Sequence, residues 1–364
     1  MSVSTQRFVA SKITFYLCLV SVLLLPVSTV HGAEKQNSTP EPAKLFTASD
    51  PISVTISAPW RDIERKKKYQ GTYPANIEFT DDLGNATSLN MTVERRGRTR
   101  QVVCRFPPIK LQFDKKVVKG TSFRGQKSLK MVTHCQTSSR YEQLYVLEML
   151  AYRMYNIITD FSFRVRPLGV TYVDSEHAVQ QGPKFAFLIE DDSDVAKRNG
   201  QKKLKIGRSN VNRLESREAN NFALFQYMIA NLDWSALSGP DKNKCCHNSK
   251  LIGRDPINEP VYVIPYDFDA AGLVDAPYAV PPDNLPVNNV RQRLYRGFCV
   301  HNSTMEDARQ HFGDNEGAIL ALVRNEPQLQ SGPRKKALKF LNKFFEILKD
   351  DRQFQKKIIA KCRK

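Results

Sequence analysis

The chain has 364 residues, 55 of them Lys or Arg against 37 Asp or Glu, for a formal net charge of +18. That length holds one large domain or two modest lobes, and the positive balance favours anionic partners: nucleotides, acidic proteins, phospholipid or glycan surfaces. The basic runs Arg65–Lys68 and Arg95–Arg100 lack interleaved aromatics or a recognition-helix pattern, which excludes a specific nucleic-acid reader.

At the N-terminus, Arg7 and Lys12 precede or open an apolar run, Ile13–Val27, that is short for a bilayer span. Val30-His31-Gly32 then offers a cleavage point after Gly32, so residues 1–32 read as a signal peptide. The protein is therefore expected to be exported: periplasmic, cell-surface or secreted. Cleavage removes two basic residues and no acidic one, leaving +16. Residues 33–50 are polar and Pro-containing and read as a flexible leader. Six cysteines remain: Cys104, Cys135, Cys245, Cys246, Cys299 and Cys362. An even number in an exported chain predicts disulfides, though six cysteines allow about fifteen connectivities. A Cys299–Cys362 tie for the C-terminal helix is one expectation. Cys245-Cys246-His247 lacks the ligand spacing of a zinc site.

From Ile52 to Phe113 short alternating runs (SVTISAPW, NIEFTDD, LNMTVERR, PIKLQFD) are broken by Pro, Gly, Asn and Asp, and read as strands. Ser128–His134 is a further strand after turns at Gly120 and Gly125. Leu144, Leu147, Leu150 and Met154 recur at helical spacing, predicting a helix over Tyr141–Ile158. Strands follow at Phe163–Tyr172 and Phe185–Ile189, then a helix at Ser216–Asn231 and a loop over Pro240–Gly253. Val261–Ile264 reads as a short buried strand, and helices return at Asn315–Val323 and Pro333–Ile359. The last has lysines on one side and apolar residues on the other, a pattern that fits packing on the body or a membrane surface.

Phosphate-loop, dinucleotide-fold and zincin motifs are absent from the sequence, and Gly120-Thr-Ser122-Phe-Arg-Gly125 misses a nucleophile elbow by one residue. The most chemical segment is Asp267-Phe268-Asp269, just after a buried strand. Two carboxylates at i and i+2 in a turn can both face a cation, and Mg²⁺ favours few carboxylates plus water and phosphates. An ordinary acidic turn is the competing reading. Upstream lie Asp233, at a helix end, and Asn248, in the loop before the strand that delivers Asp267. An Asp to orient a hydroxyl, an Asn and an Asp to hold metal, in that order, is the logic of phosphotransfer. Lys110 and Lys130 on strands, with Glu148 on the following helix, offer a lysine–glutamate pair at the phosphates; Lys130 is favoured because it directly precedes that helix.

Several of these segments resemble the CotH family of secreted atypical kinases. The residues are Arg96-Gly97-Arg98 through Phe106-Pro-Pro-Ile-Lys110-Leu-Gln-Phe113, Arg140 at a helix start, and Phe185-Ala-Phe-Leu-Ile-Glu190. Asn231-Leu-Asp233, Asn248 and Tyr266-Asp-Phe-Asp269 resemble the family's catalytic and metal-binding stretch. The resemblance is patchy and covers roughly Val93–Gly272. Arg98-Thr99-Arg100 replaces the family's usual Asn-Ser-Ser, and the adjacent cysteines are foreign to it. It implies an α+β, two-lobed atypical protein-kinase-like fold: a β-rich N-lobe at 51–190, a mainly helical C-lobe at 191–332, and a basic amphipathic helix at 333–364. It further implies Asp233 as catalytic aspartate, Asn248, Asp267 and Asp269 as ligands of Mg²⁺ or Mn²⁺, and Lys130, Lys110, Glu148, Glu190 and Arg98 around ATP. The expected function is transfer of the γ-phosphoryl group of ATP to an extracytoplasmic acceptor, a protein hydroxyl foremost. The alternative is a non-catalytic, pseudokinase module that binds an anionic partner at the cell envelope.

Overall fold

Alternating apolar residues build the first half of the fold. The strands are β1 (Ile52–Ala58), β2 (Thr72–Thr80), β3 (Ala86–Arg95), β4 (Ile109–Phe113), β5 (Ser128–Val132), β6 (Val165–Asp174) and β7 (Gln180–Ile189). In β1 the buried positions are Val54, Ile56 and Ala58; in β4 they are Ile109, Leu111 and Phe113. Such period-two burial puts one face of each strand on a common core. The structure, a computed structural model, describes residues 43–364 apart from 67, 68, 82, 83, 98, 178 and 242. The signal segment, most of the leader and Arg98 lie outside the described residues. Within the leader's last part, Lys44–Phe46 forms a 3-10 turn that buries Leu45 and Phe46 in the same core.

The seven strands close on themselves in the order β1-β2-β3-β4-β5-β7-β6. Closure depends on one parallel pairing, β1 with β6, which runs in register from Ile52↔Leu168 to Ala58↔Asp174. The other neighbours are antiparallel. This overturns the expectation of a two-lobed kinase-like fold. The strands form a closed barrel, and the described residues belong to one compact unit. The physical reason is that pairing partners more than 100 residues apart leave no trace in local periodicity. The barrel interior is filled by side chains such as Ile56, Ile77, Val93, Leu129 and Val170, so it is a core and not a channel.

Nine α-helices occur among the described residues: α1 (Trp60–Arg65), α2 (Thr99–Val103), α3 (Ser139–Ile158), α4 (Asp192–Arg198), α5 (Ser216–Met228), α6 (Met305–Asp314), α7 (Glu316–Asn325), α8 (Ser331–Lys349) and α9 (Asp351–Lys357). A small second sheet joins β8 (Lys202–Lys203), β9 (Ser249–Gly253) and β10 (Tyr262–Pro265) in the order β10-β9-β8. The stretch expected as loop up to Gly253 thus ends in a strand. The single C-terminal helix expected at Pro333–Ile359 is split at Asp350, whose carboxylate accepts the Gln353 N–H at 2.9 Å and caps α9.

Strand β7 is the wall shared by both halves. Ala186 and Leu188 face the barrel core, while Phe185, Phe187 and Ile189 face the helical core. That two-sided burial explains the unbroken apolar run FAFLI. Helix α3 lies on this wall and is buried on nearly all sides from Gln143 to Tyr155. Three disulfides, Cys104–Cys135, Cys245–Cys246 and Cys299–Cys362, pair all six expected cysteines. They suit an oxidising environment outside the cytoplasm. Among the described residues no helix is long and apolar enough to cross a membrane.

Buried acids make the fold pH-sensitive, Glu218 among them. Glu218 of α5 is pushed up to about 7, first by burial and then by Glu215 nearby, and one of its oxygens has no hydrogen-bond partner. A carboxyl raised in this way binds more protons folded than unfolded, so stability falls as pH rises from about 4.5 to 7. Glu218→Gln is expected to flatten that fall and to stabilise the protein at pH 8 by about 1–3 kcal/mol, read by urea unfolding at several pH values. An unchanged slope would remove Glu218 as its source.

Candidate active site

The Asp267-Phe268-Asp269 turn is anchored through its middle residue. Phe268 is fully buried, its ring 4.5 Å from Tyr152 of α3 and 5.4 Å from Phe225 of α5. The Asp267 N–H donates to the Tyr152 hydroxyl at 3.0 Å, and the Tyr266 N–H to the Asn248 carbonyl at 3.1 Å. Burying the aromatic leaves the two carboxylates turned to the other side, where both line a cavity of about 790 Å³. Asp233, Asn248 and Glu148 line it too. Gly272 N–H closes the following turn on the Ala230 carbonyl at 3.0 Å, and a Cβ there would collide with the Val290 carbonyl.

Asp233 is held from two directions. Asn248 Nδ2 donates to its backbone oxygen at 2.8 Å and to its Oδ2 at 2.9 Å. His247 Nε2 lies 2.6 Å from Oδ1. An ionised carboxylate only accepts, so the ring nitrogen is the donor in that arrangement. Asn248 and Asp267 both have positive φ, 44° and 64°. Asn and Asp tolerate this left-handed region better than other non-glycine residues, and such conformations gather at functional sites.

Carboxylates and cations share the cavity lining, with Lys203 2.7 Å from Asp192. Asp269 is raised to about 7, by burial first and by the Asp267 charge second, and Tyr278 donates to it at 3.2 Å. Glu148 is raised to about 8, chiefly by burial, although Arg100 opposes the rise. Arg100 Nη1 lies 3.2 Å from its Oε2. Lys130, expected at the phosphates, is not among the lining residues but lies over the Tyr266 ring at 4.4 Å, and Lys250, which lines the cavity, lies over the same ring at 5.3 Å. Lys130 is lowered to about 8, first by burial, then by the cations Lys250 and Arg96. Arg96 in turn donates to the Tyr266 hydroxyl at 2.6 Å.

The remaining expected residues fall elsewhere. Lys110 pairs directly with Lys130 across β4 and β5, but its ammonium lies 3.5 Å from Glu94 of β3. Glu190 is fully buried and accepts from Arg198 Nε at 3.0 Å and from the Arg164 N–H at 3.0 Å. Its carboxylate is therefore engaged by Arg198 and the Arg164 N–H and does not line the cavity. The glutamate of α3 meets an arginine rather than a lysine. Sequence reasoning missed Arg100, Lys250 and His247. Lys250 carried a usable signal, standing two residues after Asn248 at the start of a strand; Arg100 looked like one more charge in a basic run.

Among the described residues no group of three or more His, Cys, Asp or Glu is placed to hold a metal ion. Asp267, Asp269 and the Asn248 amide line the one cavity, two carboxylates and an amide. No family model, curated protein or solved structure matches this chain, so the CotH resemblance rests on the quoted residues alone.

Proposed function

We propose that the cavity is an Mg²⁺–nucleotide site of an exported, CotH-like phosphotransferase. The observation that carries this reading is the joint lining of one cavity by Asp233, Asn248, Asp267 and Asp269, with Lys130, Lys250 and Arg96 beside Tyr266. Asn248 and Asp267 are the metal ligands and Asp269 the deeper acid. A divalent ion held there by Asn248 and Asp267 would neutralise phosphate charge. Lys130 and Lys250 lower each other's proton affinity while Asp192, already paired with Lys203, opposes this only in part, and an anionic phosphate would relieve the remaining repulsion.

Asp233 works on the acceptor. Held by His247 and Asn248, its carboxylate takes the proton of an acceptor hydroxyl as that oxygen forms its bond to the γ-phosphorus. The bond from the γ-phosphorus to the bridging oxygen breaks, and ADP departs with that oxygen. Phosphoryl transfer of this kind rests on positioning and charge neutralisation, both of which the cavity residues are arranged to supply.

The test is calorimetric binding of ATP with Mg²⁺ or Mn²⁺, beside radiolabelled autophosphorylation. Asp233→Ala is expected to leave nucleotide affinity within about threefold while lowering transfer by roughly 10²–10⁴. Nucleotide that fails to bind wild-type protein with either metal removes this reading. Binding without transfer, unaltered by Asp233→Ala, assigns the non-catalytic module.

A further inference from the structure

A second cationic concavity lies at the C-terminal helices. Residues 331–364 hold twelve Lys and Arg against three Asp and Glu, a net +9 out of the chain's +18. The apolar residues of α8, of α9 and just after it do not face solvent: Phe340, Leu341, Phe344, Phe345, Leu348, Phe354 and Ile358 are all buried in the helical core. The amphipathic pattern is thus satisfied by packing, and the helices have no apolar side left to insert into a bilayer. What they present outward is charge.

That charge is concentrated where the chain bends at Asp350. Between α8, α9 and residues 291–295 lies a groove of about 690 Å³, which shares no lining residue with the active-site cavity. Lys343, Lys356, Lys357 and Lys361 line it, and among the described residues none has a carboxylate within ion-pair distance. Nearby cations behave differently: Lys349 lies 2.7 Å from Glu316 and Arg309 2.6 Å from Asp351. Of the two acids in the groove, Asp350 already caps α9. One wall is rigid, because Arg293 donates to the backbone oxygens of Met228 and Phe340 at 3.0 and 2.7 Å and stacks 3.9 Å from the Phe340 ring. Tyr227, Leu294, Tyr295 and Ile347 give the groove an apolar side.

We infer that this groove binds a phosphate-bearing ligand with a carbon body, at a site separate from the catalytic cavity. Lysine ammonium groups bind phosphate as point charges, and a concave wall focuses their field more than a flat surface would. Six basic side chains against the two carboxylates Glu346 and Asp350 leave the concavity net positive, and an entering anion lowers the remaining repulsion. The apolar side accommodates the carbon part of the ligand, which a bare inorganic ion would leave unused. The same chemistry is offered by a phospholipid headgroup at an envelope surface and by a soluble organic phosphate.

The test uses the full chain at about 0.15 M salt, where diffuse surface attraction is screened beyond roughly 8 Å. The probes are inositol hexakisphosphate in calorimetry and vesicles of phosphatidylcholine with and without phosphatidylglycerol in sedimentation. Lys343→Glu/Lys356→Glu/Lys357→Glu is compared with Lys335→Glu/Lys336→Glu/Lys339→Glu, an equal charge change on residues of α8 outside the groove. The first variant is expected to lose tenfold or more in binding, and the second to stay within about threefold of wild type. Loss confined to the soluble probe identifies a soluble ligand. Loss on phosphatidylglycerol vesicles, with the soluble probe competing, identifies a headgroup. Equal losses in both variants, or a wild type that binds neither probe, overturn the inference.

Discussion

Asp267→Asn is expected to abolish metal-dependent nucleotide binding while leaving the fold intact. Asn keeps the shape of Asp and its tolerance of the positive φ of 64° at this position, so the substitution removes charge and little else. Without that charge, Asp269 and Glu148 lose a repulsive neighbour, and the metal-free protein should be as stable as wild type or slightly more so. On the proposed reading, the variant would lose one of the carboxylates that hold the metal, at a cost of several kcal/mol. At about 1.4 kcal/mol per tenfold, affinity for Mg²⁺–ATP should drop roughly 100-fold or more. Thermal shift with ATP and titrated Mg²⁺ reads both halves: an unaltered melting point without ligand, and loss of the shift with it. A variant that keeps its metal-dependent shift would take Asp267 out of the site.

Arg100→Met should cost about 3–5 kcal/mol, because it strands a buried carboxylate. The side chains of Arg100 and Glu148 are only 7% and 2% exposed and lie 3.2 Å apart. Arg100 also donates to the Thr133 carbonyl at 3.2 Å and covers the Tyr145 ring at 5.0 Å. Replacing both partners, as Arg100→Met/Glu148→Met, leaves no uncompensated charge and should recover most of the loss. The penalty should also grow with pH. Glu148 is raised from 4.5 to about 8 even beside Arg100, so across that window the folded state binds the extra proton and stability falls as pH rises. Removing Arg100 raises the carboxyl further and extends the fall upward, so the single variant should look better at pH 6 than at pH 9. Urea unfolding of the two singles and the double at both values measures this. A single variant within 1 kcal/mol of wild type at pH 9 would show that the pair is not a buried ion pair in solution.

The local elements were legible where one periodicity ruled. Period-two burial announced β1, β3, β4 and β5, and helical spacing announced α3 and α5 within a few residues. The acidic turn stood out for the same reason: a buried strand ending in Pro265 is followed by two carboxylates around a phenylalanine, and that aromatic needs a core to enter. Candidate residues far apart in the chain could be grouped by chemistry, and Asp233, Asn248 and Asp267 do line one cavity.

Tertiary structure alone decided the rest. Whether β1 meets β6, and so whether the strands form an open sheet or a barrel, depends on a pairing across the whole first half of the chain. Local pattern sets which face of a strand is apolar and says nothing about which neighbour it finds. The partner of Glu148 followed from the same cause: α2 delivers Arg100 to the cavity lining beside it, while the outward face of β5 sets Lys130 against Tyr266 instead. The C-terminal lysines show the converse. Their side of α8 and α9 was visible in the sequence, but only packing shows that the apolar side is consumed by the core and that the bend at Asp350 folds the charged side into a groove. By itself the sequence determined which side chains can carry charge to a surface; the fold determined which of them share one.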